Sequence, residues 1–280
     1  MIISSPQSMQ KKALKWLKAG KSVGFVPTMG ALHEGHLSLV RASKRDNDIT
    51  VVSIFVNPAQ FGPTEDYGSY PRSLKMDLSA LKLFSVDAVF IPDVSDIYPE
   101  DFQTTVNVGK LSQPMCGKSR PVFFGGVARV VLKLFNLVMP TRAYFGLKDY
   151  QQFLIIKQLI KDLNLPVIIV PRAIIREKDG LALSSRNAYL SKEERKIAPR
   201  VYAALELGKE AAKSGKNPKQ VQRIIEDHLK KNFVIDYVTV ADPLTLASLK
   251  TFRGKALLAV AVWLGKTRLI DNLLVNQDTH

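Results

Sequence analysis

The chain has 280 residues, 46% of them hydrophobic and 23% charged, enough to bury a sizeable core in one large or two modest domains. It lacks any run of 18 apolar residues, which argues against a membrane-spanning helix, and its single cysteine, Cys116, excludes an internal disulfide. The formal net charge of +15 favours anionic partners, but basic and acidic residues are interleaved, which argues against a dedicated nucleic-acid binder.

The opening residues, MIISSPQSMQKKALKWLKAG, lack the basic start, apolar stretch and cleavage site of a secretory leader and read as the start of a mature fold. With no targeting segment and one cysteine, the cytoplasm is the expected compartment. SVGFVP (22–27) then reads as a buried strand, GHLSLVRASKRD (35–46) as a helix and ITVVSIFVNP (49–58) as a strand. A helix over SLKMDLSALKLFS (73–85) and a strand over VDAVFIP (86–92) follow. GVARVVLKLFNLVMP (126–140) is helical, RAYFG (142–146) a short strand, DYQQFLIIKQLIKDLN (149–164) a long helix and PVIIVP (166–171) a strand. Strand–helix alternation of this kind means βαβ units and a parallel sheet covered on both faces. Several strands run into Pro or Gly, which opens a loop at the carboxyl rim where such sheets bind ligands.

The pattern changes after SSRNAYLSKEERKIAPR. Helices over 201–215 and 217–232, the second with Pro218 in its first turn, precede three strands, IDYVTVAD, ALLAVAVWLG and TRLIDNLLV. The expected fold class is therefore α/β, with a Rossmann-like doubly wound parallel sheet in residues 1–178 and a smaller α+β lid domain in residues 179–280. The boundary falls within 176–186.

PTMGALHEGH (27–36) holds two of the four histidines, His33 and His36, between a strand and a helix. Gly30 and Gly35 allow the backbone close to a ligand, and the free N–H groups of a helix start face the same point. Imidazoles donate to phosphate oxygens while neutral and gain charge as charge develops, which suits a triphosphate and a pentacoordinate phosphorus. A zinc site would need further donors, and no Cys/His cluster supplies them. Incidental surface placement fits poorly with the glycines and the preceding strand. Cys116 has no histidine near it in sequence and reads as a bystander. LALSSRN (181–187) offers two hydroxyls and the Arg186 guanidinium for phosphate oxygens, or is simply a helix cap and linker.

Together, H-x-G-H and S-S-R resemble the two signatures of the HIGH/KMSKS nucleotidyltransferase superfamily, which attacks the α-phosphate of ATP. PTMGALHEGHLSLV, SIFVNPAQFGPTEDYGSYPRSL, VVLKLFNLV, AYFGLKDYQQ and REKDGLALSSRNAYLS resemble the pantoate–β-alanine ligase family over residues 22–192. The C-terminal 90 residues match mainly in length and pattern. The resemblance implies condensation of (R)-pantoate with β-alanine, giving pantothenate, AMP and pyrophosphate through a pantoyl adenylate. It also implies Mg²⁺ with the ATP, no protein side chain firmly assigned as metal ligand, and a homodimer that engages neither nucleic acid nor membrane.

Carried over by position, Met29, Gly30, Ala31, Leu32, His33, Glu34, Gly35 and His36 line the phosphate site. His36 matches the usual proton donor, with His33 beside it, and Lys148 is the third catalytic group. Gln60 would bond pantoate and β-alanine, and Gln152 pantoate from the opposite side. Amides donate to oxygen and accept from hydroxyl without repelling either substrate. Gly146, Leu147, Lys148 and Asp149 would contact the nucleotide, Ile175 the adenine, and Leu183, Ser184, Ser185 and Arg186 would close over the triphosphate. Taken singly, Gln60 and Gln152 are ordinary surface or capping residues, and Asp149 a good N-cap.

Three positions depart from the family pattern. Phe123 stands for the usual histidine, Arg129 for the usual threonine and Met76 for a common acidic residue. Arg129 contacts a phosphate or carboxylate, or faces solvent. The competing readings are another HIGH-type nucleotidyltransferase acting on a different small acceptor, a basic nucleic-acid-binding module and a non-catalytic homologue. The first is disfavoured because a phosphate acceptor calls for Arg or Lys where Gln60 and Gln152 stand.

Overall fold

The computed structural model describes residues 1–276. In chain order the elements are β1 (Ile2–Ile3), α1 (Pro6–Lys18), β2 (Val23–Thr28), α2 (Glu34–Asp46), β3 (Ile49–Ile54), α3 (Leu74–Leu83) and β4 (Ala88–Phe90). Next come α4 (Val94–Ile97), α5 (Cys116–Ser119), α6 (Phe123–Val138), β5 (Arg142–Gly146), α7 (Tyr150–Asp162) and β6 (Ile168–Arg172). The remainder are α8 (Lys192–Ile197), α9 (Arg200–Lys213), α10 (Pro218–Leu229), β7 (Val234–Ala241), β8 (Lys255–Leu264) and β9 (Thr267–Asn276).

The first six strands form one parallel sheet in the order β1-β4-β3-β2-β5-β6. Alternate residues of each strand point to opposite faces, and both faces are apolar. Phe25, Val51, Phe90 and Phe145 meet Met9 and Ala13 of α1 and the buried stripes of α6 and α7. Val26, Val52, Val89 and Tyr144 meet Leu39 and Val40 of α2 and Leu81 of α3. Helices on both faces make the sheet doubly wound and Rossmann-like. The chain steps from β2 to β3 and β4 in one direction and to β5 and β6 in the other, so the switch point lies between β2 and β5.

The last three strands form an antiparallel sheet in the order β7-β8-β9. β8 is almost wholly apolar because both its faces are covered. Leu258, Val260 and Val262 pack on α9 and α10 residues such as Leu205 and Ile225. Leu257 and Ala259 join the core of the parallel-sheet body instead.

Five elements escape the sequence reading: β1, α1 and the short helices α4, α5 and α8. β1 is too short to show a period, and α1 carries lysines around a narrow buried stripe, with Ser5 accepting a hydrogen bond from the Ser8 N–H as its cap. β3 also ends four residues before the expected Pro58, because Asn57 and Pro58 turn into a 3₁₀ turn over Pro58–Gln60.

Candidate active site

At the carboxyl end of β2, Thr28 Oγ1 donates to the Ser53 carbonyl at 2.7 Å and accepts the Gly30 N–H at 3.2 Å. Gly30 and Ala31 both have positive φ, 81° and 49°. That backbone is unfavourable for alanine and needs outside support. Asp77, buried at the start of α3, supplies it by accepting the Ala31 and Leu32 N–H groups at 3.0 and 2.7 Å.

The turn delivers His33 as the N-cap of α2. His33 Nδ1 accepts the Gly35 N–H at 3.1 Å, and the His33 N–H donates to His36 Nδ1 at 3.4 Å. A Cβ on Gly35 would lie 2.8 Å from the His33 ring. The imidazole centroids are 4.1 Å apart. With both Nδ1 atoms accepting, the hydrogen-bond network puts each proton on Nε2. Burial, then the Lys148 charge, lowers the His33 pKa to about 4, with Asp149 opposing. Burial, then His33 and Lys148, lowers that of His36 to about 3. Both rings are therefore neutral donors near neutral pH.

After β3, Asn57 Nδ2 donates to Gln60 Oε1 at 2.9 Å and to the Gly126 carbonyl at 3.1 Å, while Asn57 Oδ1 accepts the Tyr98 hydroxyl at 2.8 Å. Gln60 Nε2 donates to Met29 Sδ at 3.3 Å, tying this turn to the histidine turn. At the end of β5, the Lys148 ammonium has one ionic partner among the described residues, Asp149 at 3.8 Å.

The S-S-R segment closes the site. Ser185 Oγ donates to the Ala31 carbonyl at 3.1 Å across 154 positions of sequence. Ser184 Oγ accepts the Arg186 N–H at 3.3 Å. The Arg186 guanidinium forks onto Asp66 at 2.9 and 2.8 Å, and the Tyr189 hydroxyl donates to the same carboxylate.

Met29, His33, Gly35, His36, Gln60, Gly146, Lys148, Asp149, Gln152, Ile175, Leu183, Ser184, Ser185 and Arg186 line one cavity of about 220 Å³ at the switch point. Gly30, Ala31, Leu32, Glu34 and Leu147 do not line it. Ala31 and Leu32 turn their N–H groups to Asp77, and Glu34 pairs with Arg41 on the exposed side of α2. A larger cavity of about 1010 Å³, bounded also by the C-terminal sheet, adjoins it and shares Phe123, Lys148, Asp149, Gln152, Ser184 and Arg186.

The departures from the family pattern have definite places. Phe123 borders both cavities, and the Arg120 guanidinium lies 3.8 Å from its ring centroid while pairing with Glu65. Arg129 does not line the cavity and is only partly exposed. It lies over Tyr98 and Phe102 at 5.1 and 5.7 Å, outside the cavity lining, and its Nε is buried without a partner. Met76 is exposed. Cys116 is buried at the wall of the larger cavity.

Sequence reading missed Asp77, Asn57 and Asp66. Asp77 stands in the SLKMDLSALKLFS helix and Asn57 in SIFVNPAQF, but nothing local reveals partners tens of residues away. Among the described residues, no group of three or more His, Cys, Asp or Glu side chains is placed to hold a metal.

Comparison with known proteins is consistent across the chain. Residues 1–274 match the model of the pantoate–β-alanine ligase family. A pantothenate synthetase from Caldicellulosiruptor bescii is 55% identical over 278 residues, 98% of this chain and 99% of that one. The crystal structure of the Thermus thermophilus pantothenate synthetase superposes with a TM-score of 0.93 at 46% identity, covering 97% of this chain and 98% of that chain. A Francisella tularensis pantoate–β-alanine ligase, crystallised with β,γ-ATP and β-alanine, superposes with a TM-score of 0.83 at 34% identity, covering 98% and 97%.

Proposed function

The chain belongs to the pantoate–β-alanine ligase family, and from that premise we propose how its cleft carries out the reaction. It condenses (R)-pantoate with β-alanine at the expense of ATP, giving pantothenate, AMP and pyrophosphate. A carboxylate is a poor acyl donor because its leaving group would be oxide. Transfer of the adenylyl group first supplies a good leaving group. A pantoate carboxylate oxygen attacks the α-phosphorus and pyrophosphate departs. The β-alanine amine then attacks the acyl carbon and AMP departs.

Positioning and charge stabilisation supply most of the catalysis. His33 and His36, neutral and donating through Nε2–H, stabilise the charge gathering on the phosphoryl oxygens. Depressed pKa values argue that His36 acts first as a hydrogen-bond donor rather than as a cationic acid. The Lys148 ammonium, with its long pairing to Asp149, offsets phosphate charge. Ser184, Ser185 and Arg186 close over the triphosphate. Gln60, fixed by Asn57, holds pantoate and β-alanine, and Gln152 holds pantoate from across the cavity. Leu183 closes over the triphosphate with the S-S-R segment, and Ile175 faces the adenine.

Mg²⁺ accompanies the nucleotide. Asp149, 45% exposed and bordering both cavities, fits a hydrated ion held mainly by phosphate oxygens. When bound, such an ion screens the triphosphate charge. We assign residues 1–178 to nucleotide and pantoate binding and residues 179–280 to a lid. The family's habit gives a homodimer. The single cysteine, and the absence among the described residues of a helix able to cross a membrane, agree with a cytoplasmic enzyme.

The observation that carries this assignment is the Ser185–Ala31 hydrogen bond, which brings S-S-R against H-x-G-H. Pantoate-dependent exchange between ATP and pyrophosphate tests it. The parent protein supports exchange, and His36→Ala and Lys148→Ala each lower it by about 10²–10³-fold. Exchange independent of pantoate, or unchanged in both variants, overturns the assignment.

A further inference from the structure

We propose that Asn272, on the C-terminal sheet, is a positioning residue for the first half-reaction: it clamps the backbone of the turn that carries Lys148 and fixes it against the S-S-R segment. The inference rests on the reading of Lys148 given above.

Asn272 is 5% exposed and sits in β9. Its Nδ2 donates to the Leu147 and Lys148 carbonyls, both at 2.9 Å. These belong to the short 3₁₀ turn between β5 and α7. Both amide protons are thus spent on two successive carbonyls of one turn. That defines the turn's position in a way one hydrogen bond would not.

Asn272 is itself held. Its N–H donates to Asp271 Oδ1 at 2.8 Å, and its carbonyl accepts Arg176 Nη2 at 3.4 Å. Asp271, 4% exposed, receives the Arg176 guanidinium at 2.6 and 2.9 Å. Arg176 Nη1 also donates to the Gly180 carbonyl at 3.1 Å, and its guanidinium stacks 3.8 Å from the Tyr202 ring centroid. Arg176 bridges to Ala182, so this hairpin feeds directly into Leu183–Arg186.

One buried network therefore joins the Lys148 turn, the root of S-S-R and the centre of β9. It sets the distance between the cation that meets the triphosphate and the hydroxyls that cover it. A buried network with every member satisfied is rigid and specific. Small misplacement of a positioning group costs catalysis steeply even when no contact to substrate is lost.

Asn272→Asp tests this. The side chain keeps its shape and its backbone N–H, but a carboxylate replaces both donors and faces two carbonyls. Pantoate-dependent ATP–pyrophosphate exchange falls about 10- to 100-fold in kcat, with KM for pantoate within about twofold. Asn272→Ser, which retains one donor, loses less and serves if the first variant melts too low to assay. In a Lys148→Ala background, the residual exchange is lowered no further by Asn272→Asp. A purely structural role predicts equal factors in both backgrounds and a shift in both constants, and that result overturns the proposal. So does full exchange by Asn272→Asp while Lys148→Ala is inactive, which removes the clamp alone. Full exchange by Lys148→Ala removes the reading of Lys148 itself, and the clamp with it.

Discussion

His33 and His36 turn Nδ1 toward backbone N–H groups and sit close to each other and to Lys148. The consequence is measurable in stability. Unfolded, each ring takes a proton near pH 6.5; folded, His33 does so near 4 and His36 near 3. Between those values the unfolded chain binds more protons, so acid favours unfolding. The contribution of the neutral rings is complete above the unfolded value. It is lost as the pH falls through the window, by at most about 1.4 kcal/mol per pH unit for each ring. Carboxylates that lose partners in acid add to the slope, so the informative quantity is a difference. His36→Gln has a shallower fall in unfolding free energy than the parent inside the window, measured by denaturant titration at several pH values. Equal slopes would mean that His36 is not held neutral by the fold. The sequence announced both histidines by their rarity and their place before a helix. It was silent on Asp77, whose carboxylate holds the strained Gly30–Ala31 turn from another helix.

At the scale of elements, α6 is pressed against the Pro58–Gln60 turn. A Cβ on Gly126 would lie 2.1 Å from the Ala59 carbonyl oxygen and 2.4 Å from its carbon. Both are backbone atoms and cannot step aside cheaply. Gly126→Ala therefore separates helix and turn, breaks the Asn57–Gly126 bond and moves Gln60. Unfolding free energy drops by about 1–3 kcal/mol, and KM for pantoate rises more than KM for ATP. Steady-state kinetics beside a denaturation curve would check both, and an unchanged KM for pantoate would detach Gln60 from that substrate. The apolar period of α6 was plain from residue 126 onward, but its first turn, Phe123 to Gly125, was not. Those residues are helical because Phe124 packs against Ile155 of α7, a contact no local pattern displays.

The whole molecule has two sheets but no clean division of its core. Leu246, Leu257 and Ala259 from the C-terminal part share a cluster with Phe145, Tyr150 and Phe153 of the parallel-sheet body. The Tyr150 hydroxyl donates to the Pro243 carbonyl at 3.0 Å, and Ser119 Oγ to Asp236 at 3.0 Å. A lid motion that keeps the Asn272 bonds must pivot about them, with the swing greatest toward the β8–β9 turn around Gly265, at the wall of the larger cavity. ATP then protects the 176–192 segment from limited proteolysis, because S-S-R is drawn onto the triphosphate. Identical cleavage with and without ATP would count against a lid.

Fold class and the main pieces of the site lie in the sequence because they are local. Continuous apolar runs make strands buried on both faces, and Pro or Gly ends them at the rim. H-x-G-H starts a helix wherever that helix is placed. The assembly of those pieces is not local. The Ser185–Ala31 bond, the hold of Asp77 on the histidine turn, the fork of Arg186 onto Asp66 and the resting place of Arg129 against two aromatic rings all join segments distant along the chain. Such contacts arise only when the sheet order and the packing of helices on it bring those segments together. A side chain's partner is set by that geometry, whereas its own conformation is set by its neighbours in sequence.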